Sequence, residues 1–148
     1  MATSIHNQDF LAWTKQNLNI LKSGELTDLD TYYLIEELEN MGASEKRQLD
    51  NRLILLIGHL LKWVYQSEKR TKSWKLTIKE QRRAVMKLLK FNPSLKSELD
   101  NFFASAYEDA VIFASKETGL DEEHFPANNP FSLEQTLDET FFPEETGA

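Results

Sequence analysis

The sequence predicts an all-α protein, an up-and-down bundle of about five helices with a short C-terminal helix and a tail packed over it. Three observations carry that reading. Apolar residues recur at helical spacing along most of the chain, most cleanly over 74–91, where Trp74, Ile78, Gln81, Val85, Leu88 and Leu89 share an arc of about 100°. Capping residues and glycines punctuate the chain at intervals that suit helices joined by short connections. No stretch alternates with the period of two that a half-buried strand requires.

The first helix is expected over 7–23, with Phe10, Trp13, Ile20 and Leu21 facing inward and Gly24 as its C-cap. Thr27, Asp28 and Asp30 offer N-cap side chains to a second helix that ends at Met41, where Gly42 stops it. Leu34, Leu38 and Met41 follow its apolar spacing. Glu36, Glu37 and Glu39 spread too far around the circumference to converge on one metal ion and make a solvated acidic side.

Ser44 caps a central helix over 44–66, whose most apolar part, 53–61, should be packed on all sides. Gly58 within it marks a close helix crossing. One polar seam runs through it at seven-residue spacing: Glu45, Arg52, His59 and Gln66. A basic connection over 67–73 leads to the helix at 74–91. Asn92 and Pro93 then open a long helix to about 118, with Leu95, Leu99, Phe102, Phe103, Ala106, Ala110, Phe113 and Ala114 as its buried stripe and Gly119 as C-cap. The capping box at Ser132 and Gln135 starts a short last helix to about 139, and Leu133, Leu137, Phe141 and Phe142 anchor the tail. Residues 144–148 are expected to be disordered.

The 148 residues read as a single domain, with a core over 7–119 and an acidic aromatic tail over 120–143. With no cysteine, thiol catalysis, zinc–thiolate sites and disulfides are excluded, and a reducing compartment suits the composition. The opening residues lack a signal pattern, and the longest apolar run is about half the ~20 residues of a membrane span, so a cytoplasmic protein with no membrane partner is expected. Homo-oligomerisation is compatible with all of this.

The net charge of −7 conceals a sharp asymmetry. Between Lys62 and Lys90 there are ten Lys or Arg against two acids, Glu68 and Glu80, while the segment from Glu117 onward has nine acids and no Lys or Arg. Lys69, Arg70, Lys72, Lys75, Lys79, Arg82, Arg83 and Lys87 are therefore the candidate contacts to an anionic partner, either nucleic acid or an acidic protein surface. Trp63, Tyr65 and Trp74 lie nearby and would stack on bases if exposed, although spacing places Trp74 in the core. A solvated face, or an acidic tail folded onto the basic helix, explains the same charges.

Several segments together are similar to the bacterial domain-of-unknown-function family twenty-nine. They are Asp9-Phe-x-x-Trp13, Leu34-Ile-Glu-Glu-Leu38 with Met41-Gly42, His59-Leu-Leu-Lys-Trp63 with Tyr65-Gln66, Ser73-Trp74 with Gln81-Arg82-Arg83, Ala106-Tyr-Glu-Asp-Ala110, Glu117-Thr-Gly119 and Pro130-Phe-x-Leu-Glu-Gln135. The resemblance covers nearly the whole chain. It implies a compact helical bundle that needs no cofactor to fold, and no activity.

Arg52 and His59 form the one pair with catalytic chemistry. An Arg followed by a His at this spacing in an all-α bundle resembles the active-site motif of HEPN ribonucleases, sometimes the toxin of a toxin–antitoxin pair. Arg would stabilise phosphoryl charge and His would carry the proton of a 2′-hydroxyl. The competing reading makes His59 a structural residue, hydrogen-bonded to Tyr107 or to one of the glutamates at 36–39. His6 and His124 stand too far apart in the chain to suggest a metal site, and phosphate loops, nucleophile elbows and HExxH are absent. The expected function is that of a non-enzymatic binding protein, with the ribonuclease as alternative.

Overall fold

The computed structural model describes residues 4–144. Of the expected terminal disorder, residues 145–148 lie outside that range, as do the first three residues of the opening segment. Five α-helices make up the described chain, with no strand among the described residues: α1 Phe10–Ser23, α2 Thr31–Tyr65, α3 Lys72–Phe91, α4 Leu99–Thr118 and α5 Leu133–Leu137. The all-α reading holds. The chain divides into two compact units, residues 1–44 and residues 45–148, with α2 beginning in the first and ending in the second.

In the first unit, α1 starts three residues later than its apolar spacing suggests, because Asp9 is the N-cap: its carboxylate accepts from the Ala12 amide at 3.0 Å. Gly24 ends the helix at φ 78°, the left-handed conformation that favours glycine. Asp30 joins the following helix to α1, accepting from Trp13 Nε1 at 2.8 Å and from Ser4 Oγ at 2.6 Å. Asn17 closes the same corner, its Oδ1 accepting from the Asp30 amide at 2.9 Å. Trp13 and Asn17 are the buried side chains of α1, whereas Phe10 and Leu21, expected to face inward, are half-exposed at 50% and 49%.

One boundary differs from expectation. The helices expected to end at Met41 and to restart at Ser44 are one helix, α2, running straight through Gly42. Gly42 does not adopt a positive φ, so it makes no left-handed cap, and a lone glycine in a run of good helix formers costs only about 1 kcal/mol. Ser44 is an interior residue.

In the second unit, Leu49, Leu53, Leu56, Ile57, Leu60 and Leu61 of α2 are fully buried, as the apolar run requires. They pack with Ile78, Val85 and Leu89 of α3 and with Ala106, Ala110 and Ala114 of α4. The crossing at Gly58 is tight, since a β-carbon there would overlap the Phe113 ring. Pro93–Glu98 forms a 3-10 turn ahead of α4, which is why α4 proper starts only at Leu99. The tail folds onto this core through Phe125 and Phe131, with Leu137, Phe141 and Phe142 packed alongside, and the capping box at Ser132 and Gln135 is fully formed.

Candidate functional site

The polar seam of α2 resolves into four side chains, each with its own local partner. Glu45 accepts from Asn92 Nδ2 at 3.3 Å, Arg52 donates from Nη1 to Gln81 Oε1 at 3.3 Å, and Gln66 donates to the Thr118 carbonyl at 3.1 Å. His59 donates from Nδ1 to the Leu55 carbonyl one turn back, at 2.8 Å, and faces the Phe113 ring. Burial lowers the His59 pKa below the ordinary histidine value, with Lys62 acting in the same direction. Arg52 and His59 thus engage different neighbours, two helical turns apart. Tyr107, suggested as a partner of His59, instead donates to the Pro126 carbonyl, and burial pushes its hydroxyl up to about 12.

The basic candidates separate by environment. Arg82 is not on an open arc: it is fully buried, donating from Nε to the Thr136 carbonyl at 2.8 Å and from Nη2 to the Phe141 carbonyl at 2.7 Å and the Gln135 carbonyl at 3.3 Å. Its guanidinium also lies over the Phe142 ring. Arg70 donates from Nε to the Trp63 carbonyl at 2.7 Å and covers the Trp63 ring. Each of these arginines therefore holds the carbonyl end of a helix, Arg82 that of α5 and Arg70 that of α2. Lys62 is buried over Trp74 and lies 3.7 Å from Glu117.

Lys69, Lys72, Lys75, Lys79, Arg83 and Lys87 are exposed, as is Lys90. On α3, Lys72, Lys79, Arg83 and Lys90 fall within an arc of about 40°, a line of roughly 27 Å along the helix. Among the described residues, none of the four is ion-paired to a carboxylate. The tail does reach α3, yet it does so through the main-chain carbonyls that Arg82 holds and through Phe142 beside Lys75. Of its acids, Asp138 accepts from the Thr140 amide and hydroxyl, which lowers its pKa, and the charges of Asp138 and Glu139 act on the buried Arg82.

Beside the line of cations, Glu45, Gln48, Arg52, Ala84, Lys87, Leu88, Phe91 and Asn92 enclose a cleft of about 410 Å³ between α2 and α3. Lys87, exposed about 40° to one side of that line, is the lysine that lines the cleft. Phe91, 70% exposed, is the aromatic residue available at its edge. Trp63, Tyr65 and Trp74, the aromatics singled out in the sequence, are each engaged internally, by Arg70 and Phe142, by Phe125, and by Lys62. Phe91 escaped notice because it closes an amphipathic helix, where an apolar residue reads as core. Its position about 100° outside the arc of Trp74, Val85 and Leu89 was the signal.

These features define an all-α protein with an open cationic helix and a polar cleft at its side. The chain matches the family described as domain of unknown function DUF29 over residues 5–142, and it belongs to that family. No curated protein and no solved structure matches it. Among the described residues, no helix is long and apolar enough to cross a membrane, and no three His, Asp or Glu side chains group to hold a metal ion.

Proposed function

We propose that the protein is a non-enzymatic helical binding module that uses α3 to hold the phosphate backbone of a nucleic acid in the cytoplasm. The observation that carries this reading is the line of Lys72, Lys79, Arg83 and Lys90, exposed together and free of ion pairs among the described residues. Cations aligned in this way each release a condensed counterion when they meet a phosphate, which is the main source of sequence-independent affinity. The cleft continues the surface with Arg52 and Lys87, and Phe91 at its edge offers a face for base stacking. A cysteine-free chain is in keeping with a reducing compartment.

An acidic protein surface is the other anionic partner such a helix can take, and the exposed aromatic ring tips the balance toward nucleic acid. The ribonuclease alternative through Arg52 and His59 draws no comparable support, because the two side chains engage separate neighbours and His59 already spends its Nδ1 proton on Leu55. Fluorescence anisotropy with a labelled mixed-sequence single-stranded oligonucleotide tests the proposal, with polyglutamate as competitor. Lys72→Glu, Lys79→Glu and Arg83→Glu together should abolish binding with helicity unchanged. Phe91→Ala should weaken it by about 1–3 kcal/mol. Tighter binding to polyglutamate than to the oligonucleotide, or indifference to the triple reversal, would overturn the reading.

A further inference from the structure

The first unit leaves much of its apolar surface uncovered. On α1, Phe10, Leu11, Leu18 and Leu21 are 50%, 65%, 49% and 49% exposed, and on α2, Tyr32, Ile35, Leu38 and Met41 are 73%, 58%, 65% and 63% exposed. Both sets form stripes. On α1 the stripe covers about 100° and starts beside the buried arc of Trp13 and Asn17. On α2 it starts at Met41, beside the arc of Tyr33 and Glu37 that meets His6, and passes through Leu38 to Ile35 and Tyr32.

The two stripes share one side of the unit. Residue 6 bonds residue 37 while residue 13 bonds residue 30, so α1 and the start of α2 run antiparallel. Each stripe advances from its buried arc in the direction of increasing helical angle. In an antiparallel pair of right-handed helices, that sense of rotation turns both stripes toward the same side.

Eight large side chains, about half exposed or more, amount to an apolar surface on the order of 700 Å². That exceeds the largest patch of an ordinary monomer, about 300–600 Å², and approaches the ~800 Å² that each partner contributes to a standard interface. The charges indicate what fits it. The outer edge of the α1 stripe carries Lys15 and Lys22, and α1 has no acid within Phe10–Ser23. At the outer edge of the α2 stripe, Glu39 lies between Ile35 and Tyr32. None of these three charges is ion-paired among the described residues.

We infer that this face is an interface with a second copy of the chain, in which α1 of each protomer packs on the first half of α2 of the other. A two-fold axis parallel to the helices sets each lysine edge against the partner's glutamate edge. The alternative two-fold, which stacks α1 on α1, would oppose like charges. The closed assembly is a four-helix arrangement that buries both stripes.

Sedimentation equilibrium of the full chain should show twice the 17.2 kDa protomer mass at about 100 μM. Leu18→Asp with Leu38→Asp should give a monomer with unchanged helicity, since both positions are exposed in the protomer. Lys15→Glu with Lys22→Glu should raise the dissociation constant roughly 3- to 10-fold, and adding Glu39→Lys should lower it again by at least about 2-fold. A wild-type monomer at that concentration, or a dimer indifferent to the aspartate pair, overturns the interface. Failure of Glu39→Lys to recover association in the lysine-reversed variant overturns the pairing of α1 with α2.

Discussion

A guanidinium buried against three main-chain carbonyls cannot exchange those bonds for water in place, so Arg82→Ala should lower the stability of the second unit by about 3 kcal/mol. Arg82→Lys should recover only part of it, because a point charge cannot reach three carbonyls from one position. Arg83→Ala, one residue along and exposed, should change almost nothing. Urea denaturation of the three variants checks this contrast. The charge count alone groups both with the basic arc, although a helical wheel separates them: Arg82 falls about 20° from Leu89, at the edge of the apolar arc, and Arg83 about 120° from it. The groups that claim Arg82 lie more than fifty residues further along the chain. The two described histidines with shifted pKa values behave in opposite senses. The hydrogen bond to Glu37 raises the His6 pKa above 6.5, so its stabilisation is complete below 6.5 and is lost as pH rises through the raised value. Burial lowers the His59 pKa, so its contribution is complete above 6.5 and is lost as pH falls through the lowered value. NMR titration of the ring Cε1 protons should place the two midpoints on either side of 6.5, and a His59 midpoint above 6.5 would contradict its buried, neutral role.

Helix boundaries depend on what meets a residue from outside the helix, and two glycines of α2 show it. Gly42 has nothing within 4 Å of where a β-carbon would sit, while the Phe113 ring fills the corresponding space at Gly58. Gly42→Ala should therefore stabilise the protein by about 0.5–1 kcal/mol, by removing unfolded-state freedom in a helical position. Gly58→Ala should destabilise it by about 1–3 kcal/mol, through overpacking. Thermal unfolding of the pair should show shifts of opposite sign. The packed role of Gly58 was legible because it interrupts a continuous apolar run. Gly42 read as a stop because its acidic, half-apolar surroundings resemble a helix end, and local sequence does not reveal that the next turn continues. The amphipathic pattern of α3 and the capping box of α5 were read correctly for the same reason: both signals are complete within one element.

At the scale of the molecule, the charge asymmetry of the sequence did point to α3 as the surface to examine. What it left open was whether the acidic tail neutralises that helix. The answer turns on atoms rather than net charge, since the tail docks by main-chain carbonyls and aromatic rings and leaves Lys72, Lys79, Arg83 and Lys90 without a carboxylate partner among the described residues. The cleft at Arg52 and Phe91 was not legible, because the side chains that line it from α2 and from α3 are thirty or more residues apart in sequence. The salt dependence of oligonucleotide binding tests the central claim most directly. With four to five cations meeting phosphates of a single strand, the dissociation constant plotted against salt on logarithmic axes should rise with a slope of about 3, and the slope should fall by about 0.7 for each lysine of the line replaced by alanine. A slope near zero, or one that Lys72→Ala and Lys79→Ala leave unchanged, would contradict it.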